Sequence, residues 1–295
     1  MSGIALYGRT YLDAEVEIPL ALLATGKGKV DVEVRAVFGG FPCNAARALA
    51  GRMRAEDVAI VTRISSLDLP RLRAALPPGT AIRAIASDDD LAWPPVTVIV
   101  NPASECRLLR SGRPGDLRAA DVGPIPRADL HVFGRVDHSL VEDVRSADAR
   151  ALLAWCAGAG GDAPAVHRCD LACVNTAEAR ALVGNDTAST RELAIALAER
   201  GAPGCVRVVT GRGDAPAVAA VRGDAGLRCF ESAPAPIPRE QIRRLKGVGD
   251  AFAAHFFVEV VFDDRGQRRD ELEVERALGL AQAAAARFMT EAHAP

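Results

Sequence analysis

The sequence has few aromatic residues and no marked excess of either charge. Of its 295 residues only 4% are aromatic, and the formal net charge is −2 with a pI of about 6.2. Proteins that bind nucleic acid or anionic membranes carry basic patches, and single-stranded nucleic acid is held largely on stacked aromatic rings. We therefore expect neither nucleic acid nor a membrane as a partner.

Long apolar runs and paired cysteines are also lacking. No apolar stretch has the length that crosses a membrane, and the first residues show no secretory signal. The seven cysteines are scattered, without a CxxC pair, which favours free thiols in a reducing compartment. We expect a cytoplasmic protein. His167, Cys169 and Cys173 cluster, but no second ligand pair stands at zinc-site spacing, so we predict no metal there.

What the chain does contain is a repeated alternation of short apolar runs and helical segments. Its composition, 49% hydrophobic and 25% charged, is that of a globular protein. Repeated strand–helix units predict one α/β domain over residues 1–295, with a mostly parallel sheet covered on both faces. We predict a helix over residues 139–157, a closing helix over residues 271–289, and Asp13 in a loop after the first strand.

Two amphipathic segments interrupt this alternation. Apolar and charged residues alternate over residues 30–36, which predicts a half-exposed strand. Residues 96–100 and 105–109 flank an Asn-Pro turn and predict a hairpin. We expect these segments, at about residues 14–37 and 92–110, to form a small β lid over the main sheet.

The most informative stretch is Gly-Val-Gly-Asp at 247–250, which precedes an apolar helical run. Glycine lets the backbone approach a ligand closely, and the free N–H groups and dipole at a helix start attract an anion. An aspartate facing an anion makes sense if a phosphoryl group is being transferred and Asp250 takes the proton of the attacking hydroxyl. The alternative is an ordinary helix cap beside a glycine turn.

Three further motifs accompany this stretch. Gly39 and Gly40 lead into an alanine-rich helix with Asn44 in its first turn, where asparagine either caps the helix or binds a substrate hydroxyl. An Asn-Thr-Ala-Glu motif at 175–178 follows one predicted strand, and Thr-Gly-Arg-Gly at 210–213 follows the next.

In order and rough spacing, these four motifs resemble those of the ribokinase/PfkB carbohydrate kinases, and the resemblance covers nearly the whole chain. It implies a three-layer, ribokinase-like (Rossmann-like) fold with a small β lid. It also implies ATP- and Mg²⁺-dependent phosphorylation of a hydroxyl, such as a primary alcohol, on a sugar or sugar-like molecule. A nucleoside kinase of the same fold and a non-catalytic ligand-binding relative are the alternatives. A homodimer through the lid and a monomer both stay open.

The resemblance implies a role for each motif. Asp250 is the catalytic base, and the anion hole consists of the backbone N–H groups of Gly247, Val248, Gly249 and Asp250. The sugar-contacting positions are Asp13, Gly39, Gly40 and Asn44. The nucleotide-contacting positions are Thr210, Gly211, Arg212 and Gly213. The water shell of Mg²⁺ and the phosphates is organised by Asn175 and Glu178.

The segment before the anion hole departs from the family pattern. Arg244 and Leu245 stand where the family usually has the Asp-Thr pair that helps form a monovalent-cation site in several members, so we do not expect K⁺ activation. Lys246 either places a fixed positive charge at the nucleotide phosphates, in partial replacement of that ion, or forms a solvated basic face with Arg243 and Arg244. The family's usual Asp-x-Asn-x-Arg stretch after the lid is not recognisable, so the substrate is not specified.

Overall fold

A computed structural model describes the chain at residues 3–16, 33–85, 96–100, 107–110, 116–156 and 163–291. The strands are β1 (Ile4–Arg9), β2 (Tyr11–Val16), β3 (Val34–Gly39), β4 (Val58–Arg63), β5 (Ala81–Ile85), β6 (Val96–Val100), β7 (Arg107–Arg110), β8 (Leu130–Phe133), β9 (Leu152–Cys156), β10 (Leu171–Asn175), β11 (Val206–Thr210), β12 (Ala217–Gly223) and β13 (Gly226–Ser232). The helices are α1 (Phe41–Ala48), α2 (Leu69–Ala74), α3 (Ala119–Val122), α4 (His138–Ala147), α5 (Ala163–Arg168), α6 (Thr176–Val183), α7 (Thr190–Glu199), α8 (Val248–Val261) and α9 (Val274–Thr290).

The main sheet runs in the order β13-β12-β11-β10-β9-β8-β1-β4-β5. Its pairs are parallel except at one edge, where β11 pairs antiparallel with β12 and β12 pairs antiparallel with β13. Alternate residues of β1 enter cores on opposite faces: Ile4 and Leu6 pack with α8 and α9, whereas Ala5 and Tyr7 pack with α4. Helices therefore cover both faces, which confirms the predicted three-layer α/β architecture with a mostly parallel sheet.

The second sheet has the strand order β3-β2-β6-β7. The chain enters it almost directly from the main sheet, because β1 is followed closely by β2. In the first predicted lid segment the strands begin earlier and end later than expected, at Tyr11 and Gly39, and the antiparallel pairing of β6 and β7 confirms the predicted hairpin. Residues 17–32 and 92–95 of the predicted segments, and residues 101–106 with the predicted turn after β6, lie outside the described residues. The loop predicted for Asp13 is wrong, because Asp13 pairs with Val37 inside β2.

The single helix predicted over residues 139–157 is also wrong. Helix α4 ends at Ala147, and β9 follows between the parallel strands β8 and β10. The residues of β9 are apolar and almost entirely buried. A short apolar run of this kind fits a buried strand or a buried helix equally well, so only its pairing in the sheet decides.

Two sequence expectations concern membranes and metals. In the described part of the chain, no helix is long and apolar enough to cross a bilayer. Nor do three or more His, Cys, Asp or Glu side chains gather there in an arrangement that could hold a metal ion.

An ion pair fastens the turn after α1 to the central helix α8. Arg52 Nε lies 2.5 Å from Glu259 Oε1, and Arg52 Nη2 donates to the carbonyls of Phe262 and Asp263 at 3.4 and 3.1 Å. Glu259 is 5% exposed. Its charge is therefore compensated inside the protein by Arg52 rather than by water.

We expect Arg52→Ala to lower the free energy of unfolding by about 3 kcal/mol, because it leaves the buried Glu259 carboxylate unpaired. Urea denaturation measures the change. Arg54→Ala is the control, since Arg54 pairs with Asp57 while its own side chain is 70% exposed, and we expect a loss below about 1 kcal/mol. Equal losses in both variants would contradict the prediction.

Candidate active site

Helix α8 starts at an open N-terminus. Gly247 precedes it with a φ of 82°, in the left-handed region that favours glycine, and a Cβ there would lie 3.1 Å from Asn44 Cγ. Within the described residues no side chain caps this end, and, apart from its own helix backbone and chain neighbours, no atom lies within 4 Å of the place where Gly249 would carry a Cβ. The first-turn N–H groups therefore lack a side-chain cap and can bind an anion.

Asp250, in the first turn of α8, is held by Asn44 of α1. Asn44 Nδ2 donates to Asp250 Oδ2 at 2.7 Å, and Asn44 is 8% exposed. Burial raises the pKa of Asp250 above its ordinary value; the Asn44 hydrogen bond and Lys246 oppose this rise, and Asp13 adds to it. The carboxyl is therefore a stronger base than a solvated aspartate.

Asn44 is positioned by the glycine turn before α1. Gly40 has a φ of 92°, and a Cβ there would lie 2.1 Å from the Arg9 carbonyl oxygen, so only glycine fits. The Asn44 backbone N–H donates to the Gly40 carbonyl at 3.0 Å. The Asn44 Oδ1 accepts from Arg47 Nη2 at 3.3 Å, which turns Nδ2 toward Asp250. The predicted Gly40–Asn44 unit thus reaches the predicted base.

Asp13 of the lid joins the same site. Its carboxylate forms an ion pair with Lys246, whose side chain is 20% exposed. A Cβ on Gly39 would lie 1.7 Å from Asp13 Oδ2, so the absence of a side chain at Gly39 makes room for the carboxylate. The structure thus brings all four predicted sugar-contacting positions together beside Asp250.

The interpretation of Lys246, Arg243 and Arg244 as a solvated basic face is wrong for two of the three. Lys246 pairs with Asp13, as described above. Arg244 is 8% exposed; its Nε donates to the Phe288 carbonyl at 2.6 Å, and its guanidinium lies 3.4 Å from the centre of the Phe288 ring. Burial lowers the pKa of Arg244 to about 10, and the nearby positive charge of Arg47 contributes. Arg243 alone is exposed.

The Asn-x-x-Glu motif caps helix α6 at the carboxyl end of β10. Asn175 Oδ1 accepts from the Glu178 N–H at 3.0 Å, and Glu178 Oε2 accepts from the Asn175 N–H at 2.9 Å. Asn175 also stands beside Thr210, the last residue of β11. Thr176 Oγ1 donates to the Thr210 carbonyl at 2.9 Å. The Asn-x-x-Glu and Thr-Gly-Arg-Gly motifs therefore lie side by side at the carboxyl ends of β10 and β11. The first of them also forms a capping box at the start of α6.

The Thr-Gly-Arg-Gly motif forms a tight turn after β11. A Cβ on Gly211 would lie 2.4 Å from the Ala215 carbonyl oxygen, and Gly213 has a φ of 67°. Arg212 and Gly213 are exposed. The turn is thus accessible to a ligand at the carboxyl ends of β10 and β11, where Asn175 lies.

Sequence reasoning missed Arg9 at the carboxyl end of β1. Arg9 is 5% exposed and forms an ion pair with Asp116, which also lies 3.4 Å from Arg135 Nε. Its carbonyl contacts the Gly40 turn described above. An arginine at the end of a predicted buried strand was the signal that could have revealed this cluster, because isolated charges are rarely buried there.

Comparison with known proteins gives a structural likeness only. No protein family and no curated protein matches the sequence. Solved structures match along nearly the whole chain. Ribokinase from Giardia lamblia has a TM-score of 0.75 at 14% identity, covering 99% of this chain and 95% of that one. Adenosine kinase from Schistosoma mansoni, in complex with 2-fluoroadenosine, has a TM-score of 0.74 at 15% identity, covering 98% and 95%.

A third match is a pyrophosphate-dependent kinase in the ribokinase family, complexed with a pyrophosphate analog and myo-inositol. It has a TM-score of 0.65 at 15% identity, covering 98% of this chain and 95% of that one. The chain has a ribokinase-like fold. The resemblance inferred from the motifs is thereby confirmed at the level of the fold, while substrate and mechanism are not fixed by identities this low.

Glu178 of the capping box lies in the electrostatic field of Asp250. Burial, with a contribution from Asp250, raises the pKa of Glu178 to about 7 despite its hydrogen bonds to Asn175. The negative charge of Asp250 near the Glu178 carboxyl makes this a region where a divalent cation is favoured. An amide and a carboxylate oxygen also suit Mg²⁺ held largely through water. The residues present therefore fit the predicted ion.

The raised pKa of Glu178 predicts a pH-dependent cost in stability. The folded state holds the proton up to about pH 7, whereas the unfolded chain releases it near the ordinary glutamate pKa of 4.5, so stability falls as pH rises between these values. Between pH 5 and pH 8, we expect the free energy of unfolding of Glu178→Gln to rise by roughly 1–3 kcal/mol relative to that of the native protein. Urea denaturation at both pH values, without Mg²⁺, measures this; parallel pH profiles would refute it.

Proposed function

We propose that the protein is an ATP-dependent phosphotransferase that phosphorylates a hydroxyl of a sugar or sugar-like small molecule. The observation that carries the proposal is the Asn44–Asp250 hydrogen bond at the open N-terminus of α8. It holds a carboxylate of raised pKa beside N–H groups that suit an anion. A general base next to an anion site is what hydroxyl phosphorylation requires.

The phosphoryl donor would lie between the N-terminus of α8 and the carboxyl ends of β10 and β11. The N–H groups of residues 247–250 would bind the γ-phosphate and stabilise the charge that spreads over its oxygens. Asn175 and Glu178 would hold Mg²⁺ through water, and that ion neutralises phosphate charge when bound. The turn at 210–213 would contact the nucleotide.

The acceptor would lie between the lid and α8, in contact with Asp13, Gly39, Gly40 and Asn44. Asp250 Oδ2 is engaged by Asn44, which leaves Oδ1 for the acceptor hydroxyl. The hydroxyl oxygen attacks the γ-phosphorus, its proton passes to Asp250, and the bond to the β-phosphate breaks to release ADP. Closure of the lid over the acceptor would exclude water and limit ATP hydrolysis. Homodimer formation through this lid stays a prediction.

Potassium is not part of the proposed reaction. Where the resemblance places a cation-binding Asp-Thr pair, Arg244 directs its guanidinium to the Phe288 carbonyl of α9. This buried arginine supplies a fixed positive charge behind the anion site. It is thus Arg244, as well as Lys246, that brings positive charge to this segment.

We expect Asp250→Asn to lower kcat by about 10²–10⁴-fold, because the amide keeps the shape but cannot take the proton. The nucleotide should still bind, which calorimetry can check. Asp264→Asn is the control, since the Asp264 side chain is 77% exposed and lies after α8, at its far end. Full activity in the Asp250 variant would rule out the assigned base.

The acceptor class follows from an ADP-release screen of hexoses, ketoses, sugar acids and nucleosides. Turnover with nucleosides alone would replace the proposal by a nucleoside kinase of the same fold. Nucleotide binding without transfer to any acceptor would instead support a non-catalytic relative. Pyrophosphate is tested as a donor in a parallel screen that measures release of inorganic phosphate, because one structural neighbour is pyrophosphate-dependent.

We expect Lys246→Ala to raise the KM for the acceptor roughly tenfold, or about 1.4 kcal/mol, because it removes the partner of Asp13. The KM for ATP should change little. Steady-state kinetics with each substrate varied in turn separates the two effects, and Lys246→Arg, which keeps the charge, serves as the control. A rise confined to the KM for ATP would show that Lys246 serves the phosphates instead.

A further inference from the structure

A cavity of about 920 Å³, partly open to solvent, lies outside the group of candidate catalytic residues. It is lined by residues of α1, α2, α8, α9 and the edge strand β3. Asp13, Gly249 and Asp250 do not line it. The charged groups in its wall are six arginines and two glutamates: Arg35, Arg47, Arg52, Arg71, Arg244, Arg287, Glu259 and Glu291.

The positive charge of this basic cavity is only partly compensated. Arg52 pairs with Glu259, and Arg71 pairs with Asp68 at 3.0 Å. By contrast, Arg35, Arg47 and Arg287 make no ion pair with any residue that the structure describes.

Arg244 and Arg47 repel each other within the cavity. Burial and the positive charge of Arg47 lower the pKa of Arg244 to about 10, although Glu291 and Glu15 oppose this shift. Burial lowers the pKa of His255, in the same wall, which disfavours a positive charge there. An anion in the cavity would relieve this repulsion.

The shape of the cavity favours a small ligand. Its volume lies in the range of sites that bind small molecules, and its wall includes apolar side chains such as Leu76, Leu280 and Phe288 beside the arginines. Guanidinium groups bind phosphoryl oxygens in a two-pronged geometry. An apolar wall with several arginines suits a small organic molecule that carries a phosphoryl group.

We propose that this basic cavity binds a phosphorylated small molecule and that its occupancy regulates the candidate active site. The connection runs through α1. Arg47 Nη2 donates to Asn44 Oδ1 at 3.3 Å, and Asn44 Nδ2 donates to Asp250 Oδ2 at 2.7 Å. A phosphoryl group that draws Arg47 toward itself weakens the bond that fixes the orientation of the Asn44 amide. Asp250 then loses its positioning partner, and turnover falls.

Binding is tested with tripolyphosphate, inorganic phosphate and glycerol 3-phosphate by calorimetry at constant ionic strength, since salt screens such contacts. We expect glycerol 3-phosphate to bind the native protein and to bind Arg35→Ala/Arg287→Ala at least tenfold more weakly. Arg276→Ala, on the same helix α9 but outside the basic cavity, should match the native protein.

The calorimetric binding experiment requires no kinase activity, so its result does not depend on the proposed function. Equal affinity in all three proteins would place the probe at the anion hole and overturn the proposal, as would no binding of any probe by the native protein. Stronger binding of inorganic phosphate than of glycerol 3-phosphate would identify free phosphate, not a phosphoester, as the ligand and overturn the assignment to an organic molecule.

The regulatory half of the proposal rests on the proposed function and is tested by kinetics at saturating substrates. Glycerol 3-phosphate should lower kcat at least twofold in the native protein and in Arg276→Ala, and should leave kcat unchanged in Arg35→Ala/Arg287→Ala. An effect on the KM for ATP alone, equal in all three proteins, would show competition at the active site. Binding without any change in kcat would refute the link through Arg47.

Discussion

The hydrogen bond between Asn44 and Asp250 is the contact on which the candidate site depends. It joins two helix starts that are 206 positions apart in the sequence. Each start follows a glycine with positive φ, Gly40 before α1 and Gly247 before α8. Because both helices also pack in the core beneath the main sheet, the orientation of the base relative to the anion site is set by rigid elements. A site built this way is held more accurately than one placed on loops.

The residues just before α8 extend this constraint in two directions. Lys246 forms an ion pair with Asp13 of the lid, and Arg244 donates a hydrogen bond to the Phe288 carbonyl of α9. Neighbouring basic residues thus connect the anion site to the part of the fold that would cover the acceptor and to the helix that closes the domain. The same two side chains place positive charge in the segment that leads into the N-terminus of α8.

Much of the fold could be predicted because many of its elements carry local signals. Glycine stops, alternating patches and buried apolar runs located most of the strands. The failures share one cause. The apolar run of β9 is compatible with a helix, and only pairing between β8 and β10 makes it a strand. Asp13 looked like a loop residue after Gly8, yet β1 passes almost directly into β2. In both places long-range pairing overrides the local pattern.

The sequence by itself determined the strand–helix alternation, the motifs and the resemblance they carry, because these depend on residue type and spacing. It also supplied the candidate base, Asp250, since an acid at a glycine-rich helix start conflicts with any simple anion site. Only the tertiary structure decided which charges meet. Whether Lys246 points to water, to a phosphate or to Asp13, and whether Arg244 is solvated or buried against Phe288, depends on contacts between segments far apart in the chain. Electrostatic partners of that kind leave no periodic trace in a sequence.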